Sequence, residues 1–232
     1  MLDSAMSHTF DLHFHVPTET HNRVSVDVVP ALVSRNRLTC AFRLLLAIPH
    51  LVLVGGPAAL AVTVAWREGS GLTPSWGAST GLLGAVAAVS ALVAWFAILL
   101  TGAYPEGLRA LVVYYVRWRV RASAYVALLR DEYPPFGEGV YAAWLTLRSP
   151  RAERNRVSVA LRPILAIPHI IIVWALGVVW MATTVIAWFS ILLDGSYPPA
   201  LYRFGVGVLR WTTRVEAYLL LLHDDYPPFS FE

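Results

Sequence analysis

The chain has 232 residues, of which 57% are hydrophobic and only 14% charged, and its formal net charge is +3. Soluble globular proteins average about 25% charged residues, so this composition argues against an ordinary soluble domain and indicates that much of the surface contacts lipid. The arginines are interleaved with long apolar runs, which argues against a nucleic-acid-binding face. Cys40 is the single cysteine, so an intrachain disulfide framework is excluded. We interpret Cys40 as a packing residue.

The N-terminal segment, residues 1–33, is predicted to form a β-hairpin outside the membrane. Residues 8–16 alternate between apolar and polar side chains, and residues 24–28 do so again after a group of turn-forming residues. Because an isolated hairpin is marginal in water, the segment Tyr141–Leu147 could add a third strand. Three histidines lie on the first strand: His8, His13 and His15. No cysteine or second carboxylate cluster completes a metal site with them, so none is predicted.

Two stretches of the chain occur twice, which indicates a tandem duplication. SRNRLTCAFRLLLAIPHLVLV, at residues 34–54, matches ERNRVSVALRPILAIPHIIIV, at residues 153–173, with an offset of 119. AWFAILLTGAYP, ending at Pro105, matches AWFSILLDGSYP, ending at Pro198, with an offset of 93.

The chain therefore divides into two membrane repeats, residues 34–136 and 137–232. Because the offsets differ, 119 against 93, repeat 1 carries 26 additional residues, including a polar stretch at Arg67–Gly77. Leu44–Trp66 and Ser79–Leu100 flank that stretch, and each is long enough to cross a bilayer, which needs about 20 apolar residues. Repeat 1 is therefore predicted to form a transmembrane helical hairpin.

Repeat 2 has one unbroken apolar run, Ile164–Leu193. If the two repeats fold alike, this run also crosses the membrane an even number of times, so we predict a compact hairpin that turns around Ala175–Gly177. The alternative is one tilted helix of roughly 45 Å, which would place the insertion of repeat 1 in the middle of a span. Arginines cluster before, between and after the four predicted spans, so both termini are predicted to be cytoplasmic by the positive-inside rule.

Each repeat continues into an amphipathic helix that ends before a Pro-Pro pair. Apolar side chains recur at helical spacing from Leu201 to Leu222 in repeat 2 and from Leu108 to Leu129 in repeat 1. An arginine at mid-bilayer costs at least about 2.5 kcal/mol, so both helices are predicted to lie at the membrane interface, with their rings in lipid and their arginines at phosphate depth. The residues predicted to bind lipid or a partner are Arg117, Arg121, Arg210, Arg214, Trp118 and Trp211. Two alternatives are that these arginines pair internally, with the acidic helix ends or with Glu216, or that they dock a protein partner or an anionic ligand.

His50 and His169 both follow Ile-Pro inside an apolar run. If pseudo-symmetry brought them together, they could bind a cofactor such as haem or a quinone. The alternative is a structural role, because a proline frees a carbonyl in the preceding turn and an imidazole N–H can satisfy it. No cofactor is predicted unless His50 and His169 form such a shared site.

The sequence contains no HExxH, GxSxG or CxxC motif and no glycine-rich phosphate loop. No catalytic residue is therefore predicted, and the protein is not expected to be an enzyme.

The motifs RLLLAIPH, AWFAILLTGAYP and DEYPPF resemble the domain-of-unknown-function family DUF4389, and RPILAIPH, AWFSILLDGSYP and DDYPPF show the same pattern again. The resemblance covers residues 35–136 and 154–229. It implies a small, duplicated protein of the bacterial cell membrane. It transfers no functional residue, because the family has no assigned activity.

Together these features predict an all-α integral membrane protein of two tandem repeats, each a transmembrane hairpin followed by an amphipathic interfacial helix, with a small N-terminal β-hairpin. The expected function is that of a non-enzymatic accessory or scaffolding subunit that engages membrane lipids or other membrane protein subunits. One alternative is a haem- or quinone-binding membrane subunit that uses His50 and His169. The other is a small transporter whose repeated arginines face an anionic substrate.

Overall fold

The computed structural model describes residues 24–57, 64–67, 70–74, 81–148 and 154–231. Along these residues the elements are β1 (Val24–Val28), α1 (Arg37–Ala41), α2 (Arg43–Val54), β2 (Val64–Arg67), β3 (Ser70–Pro74), α3 (Gly81–Thr101), α4 (Glu106–Val126), β4 (Ala143–Leu147), α5 (Arg156–Leu165), α6 (Ile167–Asp194) and α7 (Pro199–Leu219). Most of the described residues are helical, as the sequence predicts.

The first helix of each repeat begins at the same sequence signal, an Asn-Arg pair. The side chain of Asn36 accepts a hydrogen bond from the backbone N–H of Thr39 at 3.1 Å. The side chain of Asn155 accepts from the N–H groups of Val157 and Ser158 at 3.0 and 3.2 Å. Asparagine is a preferred N-cap because it satisfies N–H groups that have no partner within the helix, so α1 and α5 begin at equivalent positions.

Helix α6 runs without a break from Ile167 to Asp194. The turn predicted at Ala175–Gly177 is therefore wrong. That stretch contains no proline, and a single glycine inside a helix costs only about 1 kcal/mol, so nothing in it forces the chain to turn. At about 1.5 Å per residue, the helix is about 42 Å long.

Helix α2 ends at Val54 rather than continuing through the predicted span Leu44–Trp66, so that prediction is wrong as well. Gly55 follows with a φ of 72°, a left-handed value that glycine adopts at little cost and that stops the helix. Residues 64–67 then form β2, which pairs antiparallel with β3. The insertion of repeat 1 therefore contains a β-hairpin of its own.

This insertion interrupts one long helix. By the two repeat offsets, Val54 corresponds to Val173 and Gly81 to Trp174, which are consecutive residues of α6. The start of α3 also abuts the end of α2, since a Cβ placed on Gly81 would lie 2.6 Å from the carbonyl group of Leu53. Helices α2 and α3 together are thus the counterpart of one continuous helical stretch in repeat 2, which explains why the two offsets differ.

Two helices of the described residues are long and apolar enough to cross a membrane: α3, with 21 residues, and α6, with 28. Helix α2 has 12 residues and is too short, since a crossing needs about 20. Each repeat therefore contributes one such helix instead of the predicted hairpin.

Strands β1 and β4 pair antiparallel, and each precedes the first helix of its repeat. The central pair of their register, Val26 and Leu145, is related by the 119-residue offset, so the strands meet on the pseudo-twofold axis of the duplication. The strand predicted within Tyr141–Leu147 is confirmed, with residues 24–28 as its partner. The predicted first hairpin strand, residues 8–16, lies outside the described residues, and so do its histidines, His8, His13 and His15.

The two repeats exchange contacts with each other. Helix α1 packs on α6 of repeat 2, where the indole Nε1 of Trp188 donates to the carbonyl of Cys40 at 3.0 Å. Helix α5 packs on α3 of repeat 1, where Trp95 donates to the carbonyl of Val159 at 2.9 Å. These are equivalent contacts, one from each repeat, so each repeat supplies a helix that completes the other.

Helices α4 and α7 lie in the interior, in contact with each other and with the sheet. Most side chains from Val112 to Val126 are buried, and so are both Trp118 and Trp211. The prediction that the rings of Trp118 and Trp211 lie in lipid is therefore wrong, whereas the location of these helices at the membrane interface stays a prediction. Their apolar stripes pack on α2, α3 and α6 of the same chain, which removes them from water as effectively as lipid would.

Candidate functional site

In repeat 1, the imidazole of His50 is fully buried in a cage of aromatic rings. The indole Nε1 of Trp118 donates to its Nδ1 at 3.0 Å, and the ring of Phe136 stacks on it with the centroids 4.6 Å apart. The ring of Tyr133 lies 4.9 Å away, centroid to centroid. Because Nδ1 accepts a hydrogen bond, the neutral ring carries its proton on Nε2, which is buried and makes no hydrogen bond to a described residue.

Repeat 2 contains the same cage residue for residue. Trp211 donates to Nδ1 of His169 at 3.2 Å, Phe229 stacks at 4.0 Å, and Tyr226 lies at 4.8 Å. The two histidines therefore occupy separate cages and are not brought together, as the shared cofactor site would require. The predicted structural role takes a different form, since each ring accepts from a tryptophan and so ties its apolar helix to the amphipathic helix that follows.

A buried arginine clamp closes each repeat. In repeat 1, Asp131 accepts two hydrogen bonds of 2.7 Å from Arg35 and one of 2.6 Å from Arg43. The same guanidinium groups donate to the carbonyls of Leu128 and Arg130, just after α4, at 2.6 and 2.9 Å. Burial acts to raise the pKa of Asp131, but the hydrogen bonds and charges of the two arginines outweigh it and lower the pKa below its usual value.

The clamp of repeat 2 is built from the equivalent residues but is looser. Asp224 accepts a hydrogen bond from Arg162 at 2.9 Å, whereas Arg154 lies 3.6 Å from the same oxygen. The two arginines donate to the carbonyls of His223 and Leu221, just after α7, at 2.9 and 2.7 Å. Each clamp thus fastens the beginning of its repeat to the C-terminal end of its amphipathic helix, where cations are favoured.

Sequence reasoning missed the four clamp arginines. Asp131 and Asp224 at the acidic helix ends do pair internally, but with Arg35, Arg43, Arg154 and Arg162, while Glu132 pairs with the neighbouring Arg130. A signal was present in the sequence, because the clamp arginines obey the 119-residue offset while the aspartates obey the 93-residue offset.

Four of the six residues predicted to bind lipid or a partner are buried. Trp118 and Trp211 belong to the histidine cages. Arg121 donates to the carbonyl of Gly139 at 3.0 Å, and Arg214 donates to the backbone of the C-terminal segment. Their side chains therefore contribute to packing and to internal hydrogen bonds.

The other two predicted arginines are partly exposed. Arg117 lies 4.0 Å from Glu138. Arg210 donates to the carbonyl of Val26 at 2.9 Å and lies 3.6 Å from Asp27. Both keep part of the guanidinium group at the surface, and lipid or partner binding by them stays a prediction.

One buried ion pair has no counterpart in the other repeat. Arg119 in α4 lies 3.1 Å from Glu216 in α7, and the hydroxyl of Tyr115 bonds to both. Arg119 also donates to the carbonyl of Val54, the last residue of α2, at 3.2 Å. Repeat 2 has Thr212 at the equivalent position, beside a helix that continues without a break. The arginine thus satisfies a carbonyl left open where the insertion interrupts the helix.

Among the residues that the structure describes, no group of three or more His, Cys, Asp or Glu side chains could hold a metal ion. No match to the chain is found among curated proteins or among solved structures. The family model of a domain of unknown function, DUF4389, matches residues 76–137 and 156–230, which is more than half of the chain and one segment in each repeat. The chain therefore belongs to the DUF4389 family and contains two tandem copies of its domain.

Proposed function

We propose that this protein is a non-enzymatic integral membrane protein that crosses a bilayer with α3 and α6 and serves as an accessory or scaffolding subunit. The observation that carries this proposal is the apolar surface that both helices expose. Residues exposed over more than half of their surface include Leu82, Val89 and Leu100 on α3 and Ile171, Ile186 and Leu193 on α6. Soluble monomers rarely expose so large a continuous apolar surface.

The lengths and charges of the two helices agree with this role. Helix α3 is about 31 Å long at about 1.5 Å per residue, which matches the roughly 30 Å of bilayer hydrocarbon. Helix α6 is longer and would tilt or extend beyond the hydrocarbon. Asp194, the last residue of α6, is the only charged residue in either helix, so neither would carry a charge into the middle of the bilayer.

The contacts of the candidate residues favour this proposal over the two alternatives. A haem or quinone needs an open ring nitrogen beside space for a large ligand, whereas His50 and His169 are fully buried in separate cages. A transporter needs arginines free to meet an anion, whereas Arg121 and Arg214 donate to carbonyls of their own chain.

Replacing a central exposed residue of each span by arginine tests the membrane location. Leu92 and Val185 are equivalent positions and are 57% and 51% exposed. In a bilayer, Leu92→Arg or Val185→Arg costs at least about 2.5 kcal/mol, so we expect less protein in alkali-washed membranes. At a water-exposed surface the same change stays within about 0.5 kcal/mol. Val140→Arg, in an exposed loop, is the matched control, and equal recovery of all three variants would contradict the membrane assignment.

A photo-crosslinking amino acid at Arg117 or Arg210 tests the accessory role. In intact membranes we expect these positions to form adducts with lipid or with one defined protein subunit, because both side chains are partly exposed. The same amino acid at Val140 is the control for random contacts. Adduct yields no higher than at that control position would count against the scaffolding role.

A further inference from the structure

The Arg-Asn-Arg motif at the start of each repeat contains one arginine that the clamps do not use. The first arginine of the motif, Arg35 or Arg154, is buried in a clamp. The second, Arg37 in repeat 1 and Arg156 in repeat 2, is exposed. Within the described part of the chain, the side chains of Arg37 and Arg156 form no hydrogen bond and no ion pair. Both guanidinium groups are therefore accessible to a ligand from outside the chain.

Each of these two arginines lies at the end of the apolar helix of the other repeat. Nε and Nη2 of Arg37 are 3.5 Å from the position that a Cβ on Gly195 would occupy, and Gly195 directly follows α6. Nη2 of Arg156 is 3.3 Å from the corresponding position on Gly102, which directly follows α3. Helices α1 and α5 thus place one guanidinium group at the C-terminal end of each helix that is proposed to cross the membrane.

The four most exposed large apolar side chains of the described helices lie beside these arginines in the sequence or at the helix ends that they contact. Leu38 and Val157 directly follow the two arginines and are 69% and 67% exposed. Leu193 and Leu100 lie near the ends of α6 and α3 and are 72% and 78% exposed. An accessible cation beside strongly exposed apolar side chains is typical of the depth at which lipid headgroups meet acyl chains.

We propose that Arg37 and Arg156 each bind the phosphate group of a membrane phospholipid, whose acyl chains cover the exposed leucine and valine side chains beside it. The planar N–H groups of a guanidinium group match the spacing of phosphate oxygens. The apolar neighbours favour a lipid over free phosphate, because acyl chains remove them from water. This inference rests on the proposed function, since a phospholipid is at hand only for a protein in the membrane.

The two sites differ in charge. Asp194 is exposed at the end of α6, directly before Gly195, and brings a negative charge to the site of Arg37. By the 93-residue offset, the equivalent residue at the site of Arg156 is the uncharged Thr101. Because a nearby carboxylate repels phosphate, we expect the site of Arg156 to bind the lipid more tightly than the site of Arg37.

Native mass spectrometry of the full-length protein, released from nonionic detergent micelles, counts the bound lipids. The lipid used is phosphatidylglycerol, whose headgroup carries no ammonium group to compete with the arginine. We expect saturable binding of one lipid per repeat, and we expect an excess of inorganic phosphate to leave both lipids bound. Binding without saturation, or displacement of both lipids by inorganic phosphate, would overturn the proposal.

Arg37→Gln and Arg156→Gln remove the guanidinium group and keep a polar side chain. Each variant should lose the lipid of its own repeat, with the affinity of that site reduced about tenfold or more, and the double variant should lose both lipids. Arg148→Gln makes the same change at an exposed arginine after β4 and is the matched control; it should keep both lipids. Equal losses in the control and in the site variants would indicate general electrostatic attraction and overturn the proposal.

Asp194→Thr introduces the residue of the other site and tests the assignment of the weaker site to Arg37. We expect the affinity of that site to rise by up to about fivefold, because the repulsion between an exposed carboxylate and the phosphate is removed. Arg37→Gln in the same variant should abolish the gain. A rise that persists in this double variant would assign the lipid to another part of the surface and overturn the proposal.

These measurements are made in micelles and do not depend on the crossing of a bilayer. Loss of lipid binding with reduced membrane recovery of Leu92→Arg and Val185→Arg would therefore refute the lipid sites alone. Lipid binding at the two arginines with equal recovery of those variants and their control would support the lipid sites and refute the spanning helices.

Discussion

Replacing Asp131 by asparagine tests whether the clamp of repeat 1 stabilises the fold. The carboxylate accepts three hydrogen bonds from Arg35 and Arg43, whose side chains are 1% and 2% exposed. Asparagine keeps the shape of the side chain but removes its charge. Two buried guanidinium groups would then lose the carboxylate that compensates them.

The size of the loss follows from this burial. Removing one partner of a buried ion pair costs about 3–5 kcal/mol, because the remaining charge stays buried. Since Asp131 itself is partly exposed, we expect a loss of about 3 kcal/mol in the free energy of unfolding. Asp224→Asn is the matched comparison. It breaks one hydrogen bond and one longer contact, so its loss should be smaller, about 2 kcal/mol.

Unfolding by a denaturing detergent, followed by circular dichroism in micelles, measures both losses. The triple variant Asp131→Asn, Arg35→Met, Arg43→Met removes all three charges together and should recover part of the stability, because replacing a whole buried ion pair by apolar residues is often neutral. A loss below about 1 kcal/mol for Asp131→Asn, or a larger loss for Asp224→Asn, would refute the reasoning.

The same clamp predicts an acid-side dependence on pH. The pKa of Asp131 is lowered in the folded protein. Its contribution to stability is therefore complete above the usual aspartate pKa and is lost as the pH falls through the folded value. Asp131→Asn should remove this part of the pH dependence, and an unchanged acid-side profile would count against a charged clamp.

Three further predictions concern other parts of the chain. Gly81→Ala would place a Cβ 2.6 Å from backbone atoms at a φ of 69° and should cost at least about 1–3 kcal/mol, whereas Gly107→Ala has nothing within 4 Å and should be neutral or stabilising by up to about 1 kcal/mol; similar unfolding free energies for both would contradict the helix junction. Trp95→Phe and Trp188→Phe each remove one equivalent hydrogen bond between the repeats and should each cost about 1 kcal/mol; a clearly unequal pair of losses would argue against equivalent contacts. Burial lowers the pKa of His223 to about 4, so its contribution is complete above pH of about 6.5 and is lost as the pH falls towards 4; unfolding measured across this range should show a slope that His223→Asn removes, and a flat profile in the wild type would contradict a buried neutral ring.

The part of the fold that can be predicted from the sequence follows from its internal repeats. The two tandem repeats and the strand within Tyr141–Leu147 are predicted from the sequence, and the repeated Asn-Arg pairs are found at the starts of α1 and α5. The topology could not be obtained in the same way. Two apolar runs separated by a polar insertion are expected both when the insertion is the turn of a transmembrane hairpin and when it interrupts a single helix. Only the contact of Gly81 with the end of α2 distinguishes these two topologies.

The residues of the candidate site could be identified from the sequence only in part, because their long-range contacts leave no local pattern. An apolar stripe indicates that a helix face is covered but does not distinguish lipid from protein as the cover. The stripe therefore predicts Trp118 and Trp211 at the membrane surface, whereas in the structure both contact histidines. The clamps join residues 88 to 96 positions apart in repeat 1. The spacing of residues within one helix gives no information on pairs so far apart in the sequence. Comparing the two repeat offsets, one for the arginines and one for the aspartates, is the way to find them.

The exchange of α1 and α5 between the repeats has a consequence for the synthesis of the chain. Helix α1 docks on α6, yet Ile167 at the start of α6 lies 126 residues after Ala41 at the end of α1. At about 5–20 residues per second, the ribosome takes roughly 6–25 s to make that stretch. Throughout this interval α1 can pack on α2 of its own repeat but lacks its partner α6, so repeat 1 reaches its final packing only after repeat 2 has been made.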